Sequence, residues 1–250
     1  MLCGVAGSFW AFGMLMRRPR LIYWIMLGVF TFIGVFTHHF ALSAPLIQLI
    51  YLILNFKRFH RLLPSWAATQ ALAHLPLALW LLWGFQFVGV YYIGTAGQKP
   101  PTLVEPIWTF WNYSFGYTGE SSMWIVLALI VFAGVIGVGT YRASRKEIRD
   151  GMLLIVWTLT PIVLSFAMSF RLPMFVDRYM SPAFLGFVML LVVGLGSKLL
   201  EGWPRNLVLG VLVVVSAINV NRIYFDQQFY AKEDWRGASI YLQAREKKGD

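Results

Sequence analysis

Two small groups of residues could do chemistry in this chain, and both sit in short turns between apolar runs. His38 and His39 are adjacent in the turn Thr37-His38-His39-Phe40. Imidazoles there could donate to a phosphate, move a proton or ligate a metal. Neighbouring histidines do not readily converge on one ion, and no carboxylate lies close in sequence, so no metal site is expected. The second group is Arg171-Leu172-Pro173-Met174-Phe175-Val176-Asp177-Arg178-Tyr179-Met180-Ser181-Pro182. Arg178, directly before an apolar span, suits bidentate binding of phosphate oxygens; Arg171 stands at the start of the same turn. An arginine paired with Asp177, or one snorkelling to the membrane interface, is the plain alternative. His74 lies mid-span near Pro76, where a hydrogen bond inside the bundle is expected, and His60 needs no special role.

The elements that must position these groups follow from composition. The chain is 58% hydrophobic and 13% charged, against about a quarter charged in soluble domains. Long apolar runs with short polar punctuation describe a helical membrane protein. The net charge of +10 is no nucleic-acid signature, because 12 of the 21 Lys and Arg fall in alternate turns: Arg17 to Arg20, Lys57 to Arg61, Arg142 to Arg149, and Lys198 with Arg205. The other turns, Thr37 to Phe40, Val88 to Ser122 and Arg171 to Tyr179, carry only Lys99, Arg171 and Arg178. The positive-inside rule makes the first set cytoplasmic and the second external.

The expected fold is therefore all-α, a polytopic transmembrane bundle of about eight spans at about 1–16, 21–36, 41–54, 66–88, 123–140, 151–170, 180–197 and 206–220. Residues 1–220 form the membrane domain, and 221–250 open a short extracytoplasmic C-terminal segment with an amphipathic helix from about Asp234 to Lys247. The charge rule favours two short helices joined at His38-His39 over one long helix across 21–54. A 16-residue helix rises only about 24 Å, so that turn is predicted to lie in a recess below the membrane surface. The first run lacks a leading positive region and a cleavage site; with an external start, the reading is of the C-terminal part of a longer protein. Pro45, Pro76 and Pro161 sit inside spans and predict kinks. The aromatic loop with Trp108, Phe110, Trp111 and Tyr113 predicts an interfacial or partly re-entrant segment, with a carbohydrate-stacking platform as the alternative. Cys3 is the single cysteine, which excludes a disulfide framework and a thiolate metal site.

Three stretches together carry a resemblance. Phe36-Thr37-His38-His39-Phe40-Ala41-Leu42 resembles the Tyr-Thr-His-Tyr-Phe-Ala-Leu turn of bacterial C-type membrane glycosyltransferases, the relatives of protein mannosyltransferases, aminoarabinose transferases and galacturonosyl transferases. The residues Pro173, Phe175, Arg178, Tyr179 and Pro182 match the Pro-x-Phe-x-x-Arg-Tyr-x-x-Pro element that opens a late span there. Lys232, Asp234, Trp235, Arg236 and Ala238 match its Lys-x-Asp-Trp-Arg-x-Ala element. The resemblance implies an enzyme of the bacterial cytoplasmic (inner) membrane that transfers a mannose-like hexose or a pentose from a polyprenyl-phosphate-linked sugar at the outer face. Arg178 would bind the lipid phosphate with Tyr179 beside it, and His38 and His39 would line the cavity. The family's catalytic carboxylate belongs to a first outer loop without counterpart here, so no catalytic residue is assigned. The implied partners are the polyprenyl-phosphate donor and membrane lipid, with no nucleic acid and no identified cofactor. A lipid-linked-glycan flippase would sooner show inverted repeats and charged, broken helices; it and a non-catalytic membrane scaffold are the alternatives.

Overall fold

Two glycines decide how the chain begins to pack. In the computed structural model, which describes residues 1–88, 101–116, 123–145, 150–171, 175–225 and 235–245, α1 (Leu2–Arg17) and α2 (Leu21–Thr37) form an antiparallel hairpin. A Cβ on Gly4 would lie 2.6 Å from the Gly34 nitrogen, and one on Gly7 would meet the Phe30 ring at 2.5 Å. At the other end Trp10 meets Tyr23 edge to face at 6.0 Å. Small residues at the contact let backbones approach, and packing of this kind drives helix association where lipid removes the hydrophobic difference.

After α2 the chain turns through a short 3-10 segment, His39–Leu42, into α3 (Ser43–Leu54), so the predicted two-helix reading of 21–54 holds. Asn55 then breaks the path. A four-residue helix α4 (Phe56–Phe59) and the 3-10 turn His60–Leu62 lead into α5 (Leu63–Val88), and the axis bends by 100° at this break. Next come α6 (Glu105–Phe115), α7 (Met123–Ser144), α8 (Gly151–Met168), α9 (Ser181–Leu195), α10 (Trp203–Phe225) and α11 (Trp235–Gln243). No strand occurs among the described residues. Pro76 and Pro161 lie inside α5 and α8 as read from the sequence. Pro45 does not, because it falls in the first turn of α3, where its missing N–H has no helical partner to lose.

Two apolar cores result. One joins α1, α2 and α3 to α8 through Phe12, Leu27, Ile47 and Trp157; Phe9 and Trp157 stack at 3.6 Å between centroids. The other gathers Phe115, Phe132 and Phe187 from α6, α7 and α9. α7 and α9 cross where a Cβ on Gly139 would sit 2.1 Å from the Leu190 carbonyl, and α8 and α9 meet where one on Gly186 would sit 2.7 Å from Thr158 Oγ1. A polar node lies in the first core. Gln48, fully buried, donates to Ser8 Oγ of α1 at 3.4 Å and accepts from Trp66 Nε1 at 3.0 Å and Gln70 Nε2 at 3.3 Å of α5. His74 Nδ1 lies 2.7 Å from the Gln70 carbonyl one turn back on the same helix, a contact within α5 rather than the expected one across the bundle.

Each of the eight predicted apolar runs lies on a helix. Length and composition qualify fewer of them to cross a membrane. Among the described residues α8 and α10 do, and the bent pair His39–Leu54 with Phe56–Gly84 makes a third if counted as one broken span. Leu2–Arg17, Leu21–Thr37, Leu129–Ser144 and Ser181–Leu195 are apolar but shorter. At 1.5 Å per residue, 16 or 17 residues rise about 24–26 Å, under the roughly 30 Å hydrocarbon layer. α10 also runs five residues past the expected boundary at 220, carrying Asn221 and Arg222 in its last turns.

Candidate functional site

The end of α2 builds the histidine turn. His38 leaves the helix in extended conformation while its N–H still donates to the Gly34 carbonyl at 3.1 Å. The Phe40 N–H donates to His38 Nδ1 at 3.3 Å, and the Ala41 N–H to the His38 carbonyl at 2.9 Å. With Nδ1 accepting, the neutral ring carries its proton on Nε2 and presents it as a donor. Burial, and after it the charge of His39, lowers the His38 pKa below the ordinary histidine value, so the neutral form prevails at pH 7. His39 stacks on His38 at 4.7 Å between centroids and stands exposed.

The second group arrives on a 3-10 turn, Asp177–Met180, in which the Tyr179 N–H donates to the Val176 carbonyl at 2.9 Å. The Tyr179 ring lies 5.3 Å from Phe40, stacked, and 5.6 Å from His38. Residues 139 to 141 positions apart in the chain thus form one ring cluster: His38, His39, Phe40 and Tyr179. The turn is held from both sides. Tyr113 Oη of α6 donates to the Met180 carbonyl at 2.6 Å, and Trp157 Nε1 of α8 donates to the Pro182 carbonyl at 2.8 Å. Met180 is fully buried, and Pro182 occupies the first turn of α9, where its fixed φ favours helix initiation. Phe175 packs edge on against Phe166 at 5.9 Å, tying the start of the turn to α8.

Of the predicted site residues, the structure brings His38, His39 and Tyr179 together. Arg178 follows by chain position, its backbone lying in the 3-10 turn beside Tyr179; its side chain, like that of Asp177, lies outside the described residues. Arg171 is exposed just beyond α8, its N–H bonded to the Met168 carbonyl, and no described contact joins it to the histidine turn. Glu105 is the first residue of α6, where the Thr102 hydroxyl donates to its carboxylate and lowers its pKa. Glu120 and residues 232–234 of the third motif lie outside the described residues, as do the side chains of Trp235 and Arg236. No group of three or more His, Cys, Asp or Glu able to hold a metal occurs among the described residues.

Tyr113 and Trp157 were not singled out as site residues by the sequence. Tyr113 stood only among a run of loop aromatics, and Trp157 in an apolar span, with no spacing that links either to residue 180. The aromatic segment also packs into the bundle: Phe115 is buried, and Tyr113 meets Phe184 and Phe187 at 5.4 and 5.5 Å. At the opposite end, Asp150 accepts from Tyr51 Oη at 3.0 Å and pairs with Arg58 at 2.9 Å. Asp150 has φ +59°, and a Cβ on the following Gly151 would lie 2.7 Å from Ala143 Cα. That tight corner ties Asp150 and Gly151 to α3, α4 and α7. No family model, curated protein or solved structure matches the chain.

Proposed function

We propose that the chain is a multi-pass protein of the bacterial cytoplasmic membrane, and that its ring cluster forms the donor-phosphate side of a C-type glycosyltransferase acting at the outer face. The observation that carries this reading is the contact of Tyr179 with His38 and Phe40. It unites two of the three stretches on which the family resemblance rests. The Lys- and Arg-poor turns meet each other there, while Arg58 meets Asp150 and Arg142 bonds the Val193 carbonyl near the basic turns. That sorting supports the charge-based sidedness, cytoplasm at the basic end.

In this reading the eight apolar helices cross or enter the bilayer, the shorter ones with the histidine turn recessed, since non-helical backbone at that depth must be buried in protein or line a cavity. The Arg178 guanidinium and the Nε2–H of His38 bind the phosphate of a polyprenyl-phosphate sugar, and Tyr179 packs beside the headgroup. Negative charge grows on that phosphate as the sugar bond breaks, so a fixed cation in a water-poor cleft lowers the barrier. We assign the acceptor's base to no residue of this cluster. In the full-length protein Arg178→Ala should lower transfer about 100-fold or more while membrane insertion and size-exclusion behaviour stay unchanged. Retained transfer would remove the phosphate role. A polyprenyl phosphate should bind, and the uncharged polyprenol should not.

A further inference from the structure

A pocket lies at the other end of the bundle, beside the last turns of α7 and the segment that follows α9. It is a cavity of ≈ 430 Å³ between Gly137, Val138 and Arg142 on α7 and Ser197, Lys198 and Leu199 after α9. Among the described residues no carboxylate lines it. Arg142 is fixed there by donating to the Val193 carbonyl at 2.7 Å. Ser197 is buried, and its Oγ accepts from the Leu199 N–H at 3.3 Å, leaving its own proton to donate. Lys198 lines the pocket and is exposed. Val138 and Leu199 supply an apolar wall beside these donors.

Gly137 gives the pocket its purpose. Two residues away Gly139 is packed so tightly that any Cβ would strike the Leu190 carbonyl, yet a Cβ on Gly137 would meet nothing within 4 Å. A mid-helix glycine costs about 1 kcal/mol against alanine. Here no packing contact accounts for it, and the open space at its Cα lies on the lining of the cavity.

We propose that this pocket binds the phosphate of an anionic glycerophospholipid, with Lys198, Arg142 and the Ser197 hydroxyl on the phosphate oxygens and the first acyl methylenes against Val138 and Leu199. Basic pockets between helices on the cytoplasmic side have this chemistry. The assignment rests on the membrane placement argued above but not on glycosyl transfer, and carbonate extraction of the protein from membranes tests that placement separately.

The test is native mass spectrometry of the detergent-released protein titrated with phosphatidylglycerol or phosphatidylcholine. Expected is one retained phosphatidylglycerol, weakened about fivefold in Lys198→Gln and lost in Gly137→Leu. The Gly137→Leu substitution fills open space on a helix and raises helix propensity, so folding survives it. Arg17→Gln, in another basic turn, should leave binding unchanged. Equal retention of phosphatidylcholine, retention by Gly137→Leu, or an equal loss in Arg17→Gln would overturn the proposal. So would displacement by soluble glycerol phosphate, which would make the site one for free phosphate esters.

Discussion

The histidine turn shows how much a single hydrogen bond decides. Because His38 Nδ1 accepts from the Phe40 N–H, protonating that nitrogen removes a bond the turn uses. Burial lowers the His38 pKa, so between that lowered value and the free-histidine value of about 6.5 the unfolded chain holds a proton that the folded chain does not. Stability therefore falls as pH drops through that window. Thermal unfolding in detergent should show a melting temperature that declines from neutral to mildly acid pH, with a shallower decline in His38→Gln. An identical slope in the two proteins would contradict the burial argument. His38 was legible in the sequence because histidine is rare in this apolar chain, and Tyr179 because its turn resembles a family element. Tyr113 and Trp157 were not, since a hydrogen bond to a backbone carbonyl leaves no mark on the accepting residue's identity.

Elements were read more fully than sites. Hydropathy located the eight apolar helices, from α1 at Leu2–Arg17 to α10 at Trp203–Phe225, within a few residues, because an apolar run between charged turns has little choice but to close its own hydrogen bonds as a helix. Helix-to-helix contacts were opaque, since they depend on where a side chain is absent. Gly137 and Gly139 look alike in sequence and differ in space. Gly139→Ala places a methyl against the Leu190 carbonyl and should destabilise by about 1–3 kcal/mol, the usual cost of overpacking. Gly137→Ala should stabilise by up to about 1 kcal/mol. Thermal unfolding of the two variants side by side checks the pair, and equal shifts would mean that the α7–α9 crossing is not as close as described. Pro45 teaches the same limit: its kink could not be judged until the start of α3 was fixed at Ser43.

For the molecule as a whole, the two ends differ in charge and in what they bring together. One end gathers the histidine turn, the Asp177–Met180 turn and α6; the other gathers Arg58, Asp150, Arg142 and Lys198. In a Cys3→Ala background, a cysteine at Leu103, an exposed position, should react with a membrane-impermeant maleimide in intact cells. One at Lys57 should react only after permeabilisation. The reverse pattern would invert the orientation read from the arginine-rich turns. Charge made this polarity visible in the sequence, whereas the number of full crossings was not, because a run of 16 apolar residues and one of 23 carry the same hydropathy signal per residue.

Gln48 has a consequence of another kind. Oily faces glide over one another in hydrocarbon with little preference for angle, and interhelical hydrogen bonds there average only about 0.6 kcal/mol. An amide that touches Ser8, Trp66 and Gln70 at once therefore adds little adhesion. It works as a key in a slot, fixing the azimuth at which α1, α3 and α5 stop turning against one another.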